Sequence, residues 1–507
     1  MEEVIPSKDI NKYSPTTSAI EKIKTGILGF DEITFGGLPK YRPTLIVGGI
    51  GTGKTFMSMH FLLNGVINYQ ENGVFMTFEE KTTELVTNFS NFNIDIEDLV
   101  NKKKLYFEHL HIAQYEMHES GKYNYNIDGL FVRIEHAINT INAKRIVLDS
   151  LDTLFTNLDI NMLRNEFKKL FFWLKEKNIT AIITAEQGDI YLTRLGLEEN
   201  VADCVIELTN RIINQISTRR LRIMKYRGSF HANNEYPFVI DNEGMNVFPI
   251  VTNLIEYNIS NQRVSSGINN LDAMLDSKGF FVGSSILISG SAGTGKTSLA
   301  SFFAKRNCEN NKKCLLCVFE ESSKQIVRNM KSIGIDLDFH VKSKNLIFYY
   351  ARPTLQNLEL HFMRIKEFIE IEKPDVIILD PITNLMTEGP NSDIRVMLTQ
   401  FIDFLKIKQI TVMFTAAITL KSVAISLSDE GISSMADSWI MVEDIVTENK
   451  RNRIIYILKS RGMPHSKDIK AFEISNEGID IYDLDKNENH SMSENKFNGA
   501  VLNGNIK

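Results

Sequence analysis

Along this chain, short and nearly unbroken apolar runs alternate with longer mixed stretches, and the whole pattern is written twice. Thr44-Leu45-Ile46-Val47 and Ile286-Leu287-Ile288-Ser289 are two such runs. VFMTFEE (74–80) and LLCVFEE (315–321) are two more, as are RIVLD (145–149) and VIILD (376–380). Continuous apolar runs of this length predict strands buried on both faces. The stretches from Phe56 and from Ser298 predict helices. Strand and helix patterns in alternation predict two α/β units, each a mostly parallel sheet flanked by helices.

The repeat sets the domain organisation. Thr25-Gly26-Ile27-Leu28-Gly29-Phe30-Asp31 opens one unit and Ser266-Gly267-Ile268-Asn269-Asn270-Leu271-Asp272 the other. Lys225-Tyr226-Arg227-Gly228 and Lys459-Ser460-Arg461-Gly462 stand near their ends. The order of phrases is the same in both, as a gene duplication leaves it. The expected units are 16–250 and 265–484, joined by a linker at 251–264, after a loose N-terminus at 1–15. Residues 485–507 are polar and poor in large apolar groups, so a disordered tail is expected there.

The most specific chemistry lies between the first strand and helix of each unit. Residues 48–55 read GGIGTGKT and residues 290–297 read GSAGTGKT, both G-x-x-x-x-G-K-[ST]. Gly48, Gly51, Thr52 and Gly53, with Gly290, Gly293, Thr294 and Gly295, form loops whose amides cradle phosphate at a helix N-terminus. Lys54 and Lys296 would reach the outer phosphates, and Thr55 and Thr297 would offer hydroxyls to magnesium. ATP and Mg2+ are therefore the expected cofactors. Asp149 and Asp380 end apolar strands at the edge where such sheets bind ligands, and are expected on the metal; the alternative is a capping role. Glu79, Glu80, Glu320 and Glu321 close the strands after Phe78 and Phe319. A carboxylate there can orient or deprotonate an attacking oxygen, unless the pairs are merely solvated strand ends. Lys225, Arg227, Lys459 and Arg461 would meet developing phosphate charge if a neighbouring subunit supplied them, as an arginine finger does. Otherwise they guard a sheet edge against pairing.

Bulk composition narrows the classes. The chain has 507 residues and a net charge of −6, with 43% apolar and 24% charged residues. That balance argues against a nucleic-acid coat, whose usual footprint is strongly basic. No apolar stretch of about 18 residues is present, so no membrane span is expected. The N-terminus lacks the pattern of a secretion signal, making the cytoplasm the default location. Four cysteines are too few for a disulfide scaffold. Cys314 and Cys317 point to opposite faces of a strand and read as core. His109 and His111 share a strand face without a further ligand at metal spacing.

Together these phrases resemble the RecA-like ATPases, and their tandem arrangement resembles the KaiC family of clock ATPases and autokinases. The likeness spans about residues 20–484. It is carried by TFEE (77–80), MKYRGSFH (224–231), EYPFVI (235–240), QRVSSG (262–267), VFEES (318–322) and ISSMADS (432–438). It implies a double-ring homohexamer with ATP between subunits, hydrolysis in the first lobe on Glu79 and Glu80, and autophosphorylation in the second with Glu320 and Glu321. It places Lys225, Arg227, Lys459 and Arg461 on the neighbour's ATP. Ser433 and Ser434 stand at the family's adjacent phospho-acceptor positions, where a hydroxyl near a γ-phosphate needs only alignment and a base; helix or turn capping is the other reading. Three features depart from the family. Ile333 stands where relatives can carry an adenine-stacking tryptophan, and Pro381 where serine is usual. Residues 485–507 do not match the tail that binds KaiA, so regulation by KaiA is not expected. A KaiB-type partner on the first lobe, around Glu116–Asp128, is compatible with the resemblance. Two other functions fit the motifs: a nucleic-acid-dependent motor using Arg219, Arg220 and Arg222, and an ATP-assembled signalling scaffold. The acidic balance disfavours the motor, and nucleic acid is not expected as a partner.

Overall fold

A computed structural model describes residues 20–90, 94–110, 128–150, 160–188, 191–193, 196, 198–213, 216–241, 244–249, 260–352, 358–387, 391–417, 432–447 and 450–484. The chain forms two compact units, Met1–Ile250 and Val251–Lys507. The expected N-terminal arm, the C-terminal tail, the stretch around 116–127 and His111 lie outside the described residues, as does most of the expected linker.

In the first unit nine strands form one sheet: β1 (Pro43–Gly48), β2 (Gly73–Thr77), β3 (Leu105–His109), β4 (Arg145–Asp149), β5 (Thr180–Glu186), β6 (Cys204–Ile213), β7 (Ile216–Tyr226), β8 (Glu235–Asp241) and β9 (Gly244–Val247). Their order across the sheet is β9-β8-β7-β6-β1-β5-β4-β2-β3. Every pairing from β6 to β3 is parallel, and β7, β8 and β9 extend the sheet antiparallel. The second unit repeats this with β10 (Ser285–Gly290), β11 (Cys314–Val318), β12 (Leu346–Tyr350), β13 (Val376–Asp380), β14 (Thr411–Ala417), β15 (Ser438–Thr447), β16 (Lys450–Ser460), β17 (Lys470–Ser475) and β18 (Gly478–Asp483). The order is β12-β11-β13-β14-β10-β15-β16-β17-β18, the same topology read from the other end.

The apolar runs are continuous because both sheet faces are covered. Leu45 and Val47 enter one core and Ile46 the opposite one; Ile286 and Ile288 enter one and Leu287 the other. This period of two places every side chain of a buried central strand in a packed layer. Cys314 and Cys317 divide in the same way between the two cores of the second unit, and all four cysteines are buried thiols. Ahead of each sheet a small two-stranded ribbon forms, Lys22–Ile23 with Leu38–Pro39 and Arg263–Val264 with Phe280–Phe281. The strand Arg263–Val264 thus lies inside the stretch expected as linker.

Candidate nucleotide sites

Each glycine loop leaves the carboxyl end of a central strand and enters a helix, Lys54–Tyr69 or Lys296–Glu309. The helices begin two residues earlier than the pattern predicts, so the loop lysine and threonine form the first helical turn. Gly53 and Gly295 precede them at φ 103° and 98°, the left-handed region that side chains avoid. A Cβ on Gly53 would also stand 2.7 Å from Ile240 Cδ1, and one on Gly295 2.5 Å from Ile474 Cδ1. Lys54 Nζ donates to the carbonyls of Gly48 at 2.7 Å and Gly49 at 3.1 Å; Lys296 Nζ donates to Gly290 at 2.9 Å and Ser291 at 2.7 Å. Both ammonium groups are therefore folded over the concave side of their own loops. Burial pulls the Lys296 ammonium below its usual range, against the pull of Asp380 and Glu320.

The two aspartates converge on these loops. Asp149 ends β4 and Asp380 ends β13, and both are buried. Asp149 accepts hydrogen bonds from the hydroxyls of Thr184 and Thr55, and Asp380 from those of Thr415 and Thr297. Burial raises both carboxyls above the ordinary range, opposed by these threonines and by Lys54 or Lys296. The peptide after each aspartate, Asp149–Ser150 and Asp380–Pro381, is cis. A buried carboxylate beside a helix-start hydroxyl and a lysine is a donor set of hard oxygens suited to magnesium. Thr184 and Thr415 were not singled out from the sequence, although both sit in a repeated Thr-Ala step on the strand that pairs directly with the loop strand.

The glutamate pairs stand exposed at the strand ends beside these sites. Phe78 and Phe319 anchor them, their amides donating to the carbonyls of Asp149 at 2.8 Å and Asp380 at 3.1 Å. Glu79 Oε1 accepts from Ser150 Oγ at 3.0 Å. Glu80 and Glu321 instead turn toward the following helix, where Asn88 and Asn329 reach them at 3.5 and 2.9 Å. Within each pair the first glutamate therefore lies nearer the aspartate and the second is held away.

The lysine–arginine phrases lie elsewhere in the sheet. Lys225 pairs across from Val205 and Lys459 from Trp439, at the amino-terminal end of the parallel strands. The glycine loops leave the carboxyl-terminal end, so neither basic pair faces the loop of its own unit. Their side chains fasten a short helix instead. Lys225 Nζ donates to the carbonyls of Glu199 at 2.9 Å and Asn200 at 3.2 Å, and Arg227 Nη2 to Asn200 at 3.0 Å. Lys459 Nζ donates to Ala436 at 2.8 Å and Arg461 Nη2 to the carbonyl of Ser434 at 2.9 Å. The helix held in the second unit is Ile432–Met435, which carries Ser433 and an exposed Ser434. In the first unit Arg227 also borders a cavity of about 560 Å³ lined by Arg164, Lys168, Phe172 and Lys175. These cations lie far from Arg227 in sequence, so only the fold unites them. β8 and β17 pair with β7 and β16 only over Arg219–Arg222 and Ile454–Ile455, so Lys225 and Lys459 lie beyond that pairing and the edge-guard alternative stands beside the phosphate one. Among the described residues no cluster of three or more metal-ligand side chains occurs, and no helix is long and apolar enough to cross a membrane.

Two copies of this sheet, each with a glycine loop at a helix start and a buried strand-end aspartate, define a tandem RecA-like P-loop ATPase. The chain belongs to the KaiC ATPase family, whose pattern it matches over residues 23–252 and 264–486. It is 43% identical over 465 residues to the circadian clock protein KaiC2 of Synechocystis sp., covering 91% of this chain and 81% of that one. It is 37% identical to the circadian clock oscillator protein KaiC of Parathermosynechococcus lividus, covering 92% and 86%. With KaiC of Synechococcus elongatus the identity is 36%, covering 92% and 90%.

Proposed function

We propose that this protein is a magnesium- and ATP-dependent homohexamer that hydrolyses ATP in its first lobe and phosphorylates Ser434 and Ser433 in its second. One observation carries the reading. Arg461 is bonded to the carbonyl of Ser434, so the acceptor serines and the basic pair share one face, at the opposite end of the sheet from their own glycine loop. A heterologous ring brings that face to the next protomer's loop. In this arrangement Lys54 and Lys296 hold the outer phosphates. Thr55 with Asp149, and Thr297 with Asp380, hold magnesium, which when bound neutralises developing phosphate charge. In the first lobe Glu79 or Glu80 orients a water. In the second, Glu320 or Glu321 takes the proton from a serine hydroxyl of the adjoining protomer as its Oγ bonds to the γ-phosphorus and ADP departs. Lys225 and Arg227, or Lys459 and Arg461, stabilise the transferred group from across the interface. A KaiB-type partner on the first lobe and a cytoplasmic location complete the proposal.

The test is incubation of the purified protein with Mg-ATP and site mapping by mass spectrometry. Phosphate is expected on Ser434 and Ser433. A Glu320→Gln, Glu321→Gln double variant is expected to slow incorporation at least about a hundredfold, the usual worth of a positioned base. Continued ATP turnover with neither serine modified would remove the kinase half of the proposal.

A further inference from the structure

The two units share one topology, so each serves as an internal control for the other. They diverge sharply at one place, the free edge of the second sheet. That edge is β12, whose residues Leu346-Ile347-Phe348-Tyr349-Tyr350 carry no charge and, among the described residues, pair on one side only, with β11. The matching edge of the first unit, β3, reads Leu105-Tyr106-Phe107-Glu108-His109, and its Glu108 is bridged to Arg133 at 2.9 Å. An uncharged aromatic edge is a ready template for another strand.

A groove of about 810 Å³ runs over this edge. It is lined from both faces of the sheet, by the helices Ser323–Lys331 and Asp338–Lys342 and by Glu372 at the end of Leu358–Glu372. Val327, Val341 and Phe348 give it an apolar wall. Lys324, Arg328 and Lys344 border it, exposed and with no carboxylate partner among the described residues. The groove's own acids are already taken, Asp338 by Lys331 at 3.0 Å and Glu372 by Lys313 at 2.6 Å. In the frame that matches Glu80 with Glu321 and Leu105 with Leu346, the first unit carries Thr83 and Thr87 where Lys324 and Arg328 stand. Lys344 has its counterpart in Lys103, so Lys324 and Arg328 are the groove cations that the second unit carries and the first does not.

We propose that this groove binds an acidic segment of another protein, alternating carboxylate and apolar side chains, as a strand added beside β12. Main-chain hydrogen bonds to the open edge would supply the framework and alternate side chains the selectivity. Carboxylates at alternate positions would meet Lys324 and Arg328 on the face covered by the helix Ser323–Lys331, and the apolar positions between them would lie on the opposite face, beside Ile347. A second copy of the same edge is a poor occupant, because it would set these cations against their equals.

The probe is a fluorescein-labelled peptide of about ten residues alternating glutamate with valine or isoleucine, titrated into the full-length protein by anisotropy. Saturable binding that weakens with salt is expected. Lys324→Glu with Arg328→Glu should reduce affinity at least tenfold while ATP turnover stays at the wild-type rate. N-methylating alternate peptide amides should abolish binding to the wild-type protein, a readout that needs no variant to fold. Equal binding of the lysine-for-glutamate peptide, indifference to N-methylation, or tighter binding of single-stranded DNA would overturn the proposal. So would sedimentation showing the edge buried by self-association that the Phe348→Lys variant releases.

Discussion

Asp149 and Asp380 show at single-residue scale how this molecule trades stability for chemistry. Burial holds both carboxyls above their ordinary range, so the folded state binds a proton more readily than the unfolded chain. The sign follows by linkage: their contribution is most favourable below the unfolded carboxylate pKa and is lost as pH rises through the folded one. At neutral pH each is a cost that magnesium would offset. Asp149→Asn keeps the shape and can still accept from Thr184, and it removes the charge. It should therefore raise Tm in EDTA without nucleotide by about 2–4 °C, the shift expected for about 1 kcal/mol in a unit of this size. The same change should abolish magnesium-dependent stabilisation by ATP. A lower Tm in EDTA would contradict the burial argument. His60 runs the other way. Met245 N–H donates to its Nδ1 at 3.1 Å, and burial pulls its pKa down to about 4 despite Asp241. The unfolded chain then takes up a proton near pH 6.5 that the folded chain refuses, so stability present in full above that pH is lost as pH falls toward 4. The loss is about 3 kcal/mol at most. His60→Gln retains an acceptor and cannot titrate, so its melting temperature should fall less steeply than wild type across that window.

At the scale of elements, what was legible in the sequence was whatever the local pattern encodes. The strand runs, the loops and the terminal aspartates declare themselves because each is contiguous and each occurs twice. The helix starts were misplaced by two residues because apolar periodicity begins at Phe56 and Ser298, whereas helical backbone begins at the first residue after the positive-φ glycine. The antiparallel extension β7-β8-β9 left no signature distinct from other strands, since direction depends on connection and not on composition. Thr184 and Thr415 were passed over because their partners lie 35 residues away in sequence and are joined only by the register of parallel strands. The basic phrases were recognised as chemistry without a location. Only pairing Lys225 with Val205, and Lys459 with Trp439, assigns them to the end of the sheet away from their own loops. The groove over β12 was invisible for the same reason, since its three cations come from a helix and a turn that flank a strand later in the chain.

The whole molecule must reconcile a phosphate loop at one end of each sheet with basic residues at the other. Within a unit these parts do not meet, so the proposed activity is a property of an interface, and an interface can be dissected by mixing. A chain with Lys296→Ala has a disabled second pocket but presents intact Lys459, Arg461 and Ser434. A chain with Lys459→Ala and Arg461→Ala has an intact pocket and a disabled opposite face. Each alone should fail to autophosphorylate, while both keep the first lobe's loop for assembly. Mixed before nucleotide is added, random rings contain about a quarter of interfaces in which an intact pocket meets an intact face. Phosphate should then appear, and it should appear on the Lys296→Ala chain, whose own pocket is dead, because that chain supplies the serine to its neighbour. Chains distinguished by an isotope label make the assignment direct in a mass spectrum. Phosphate found on the other chain would place serine and pocket in one protomer. No phosphate in the mixture, with wild type active under the same conditions, would mean that the basic face and the pocket do not complete each other between protomers.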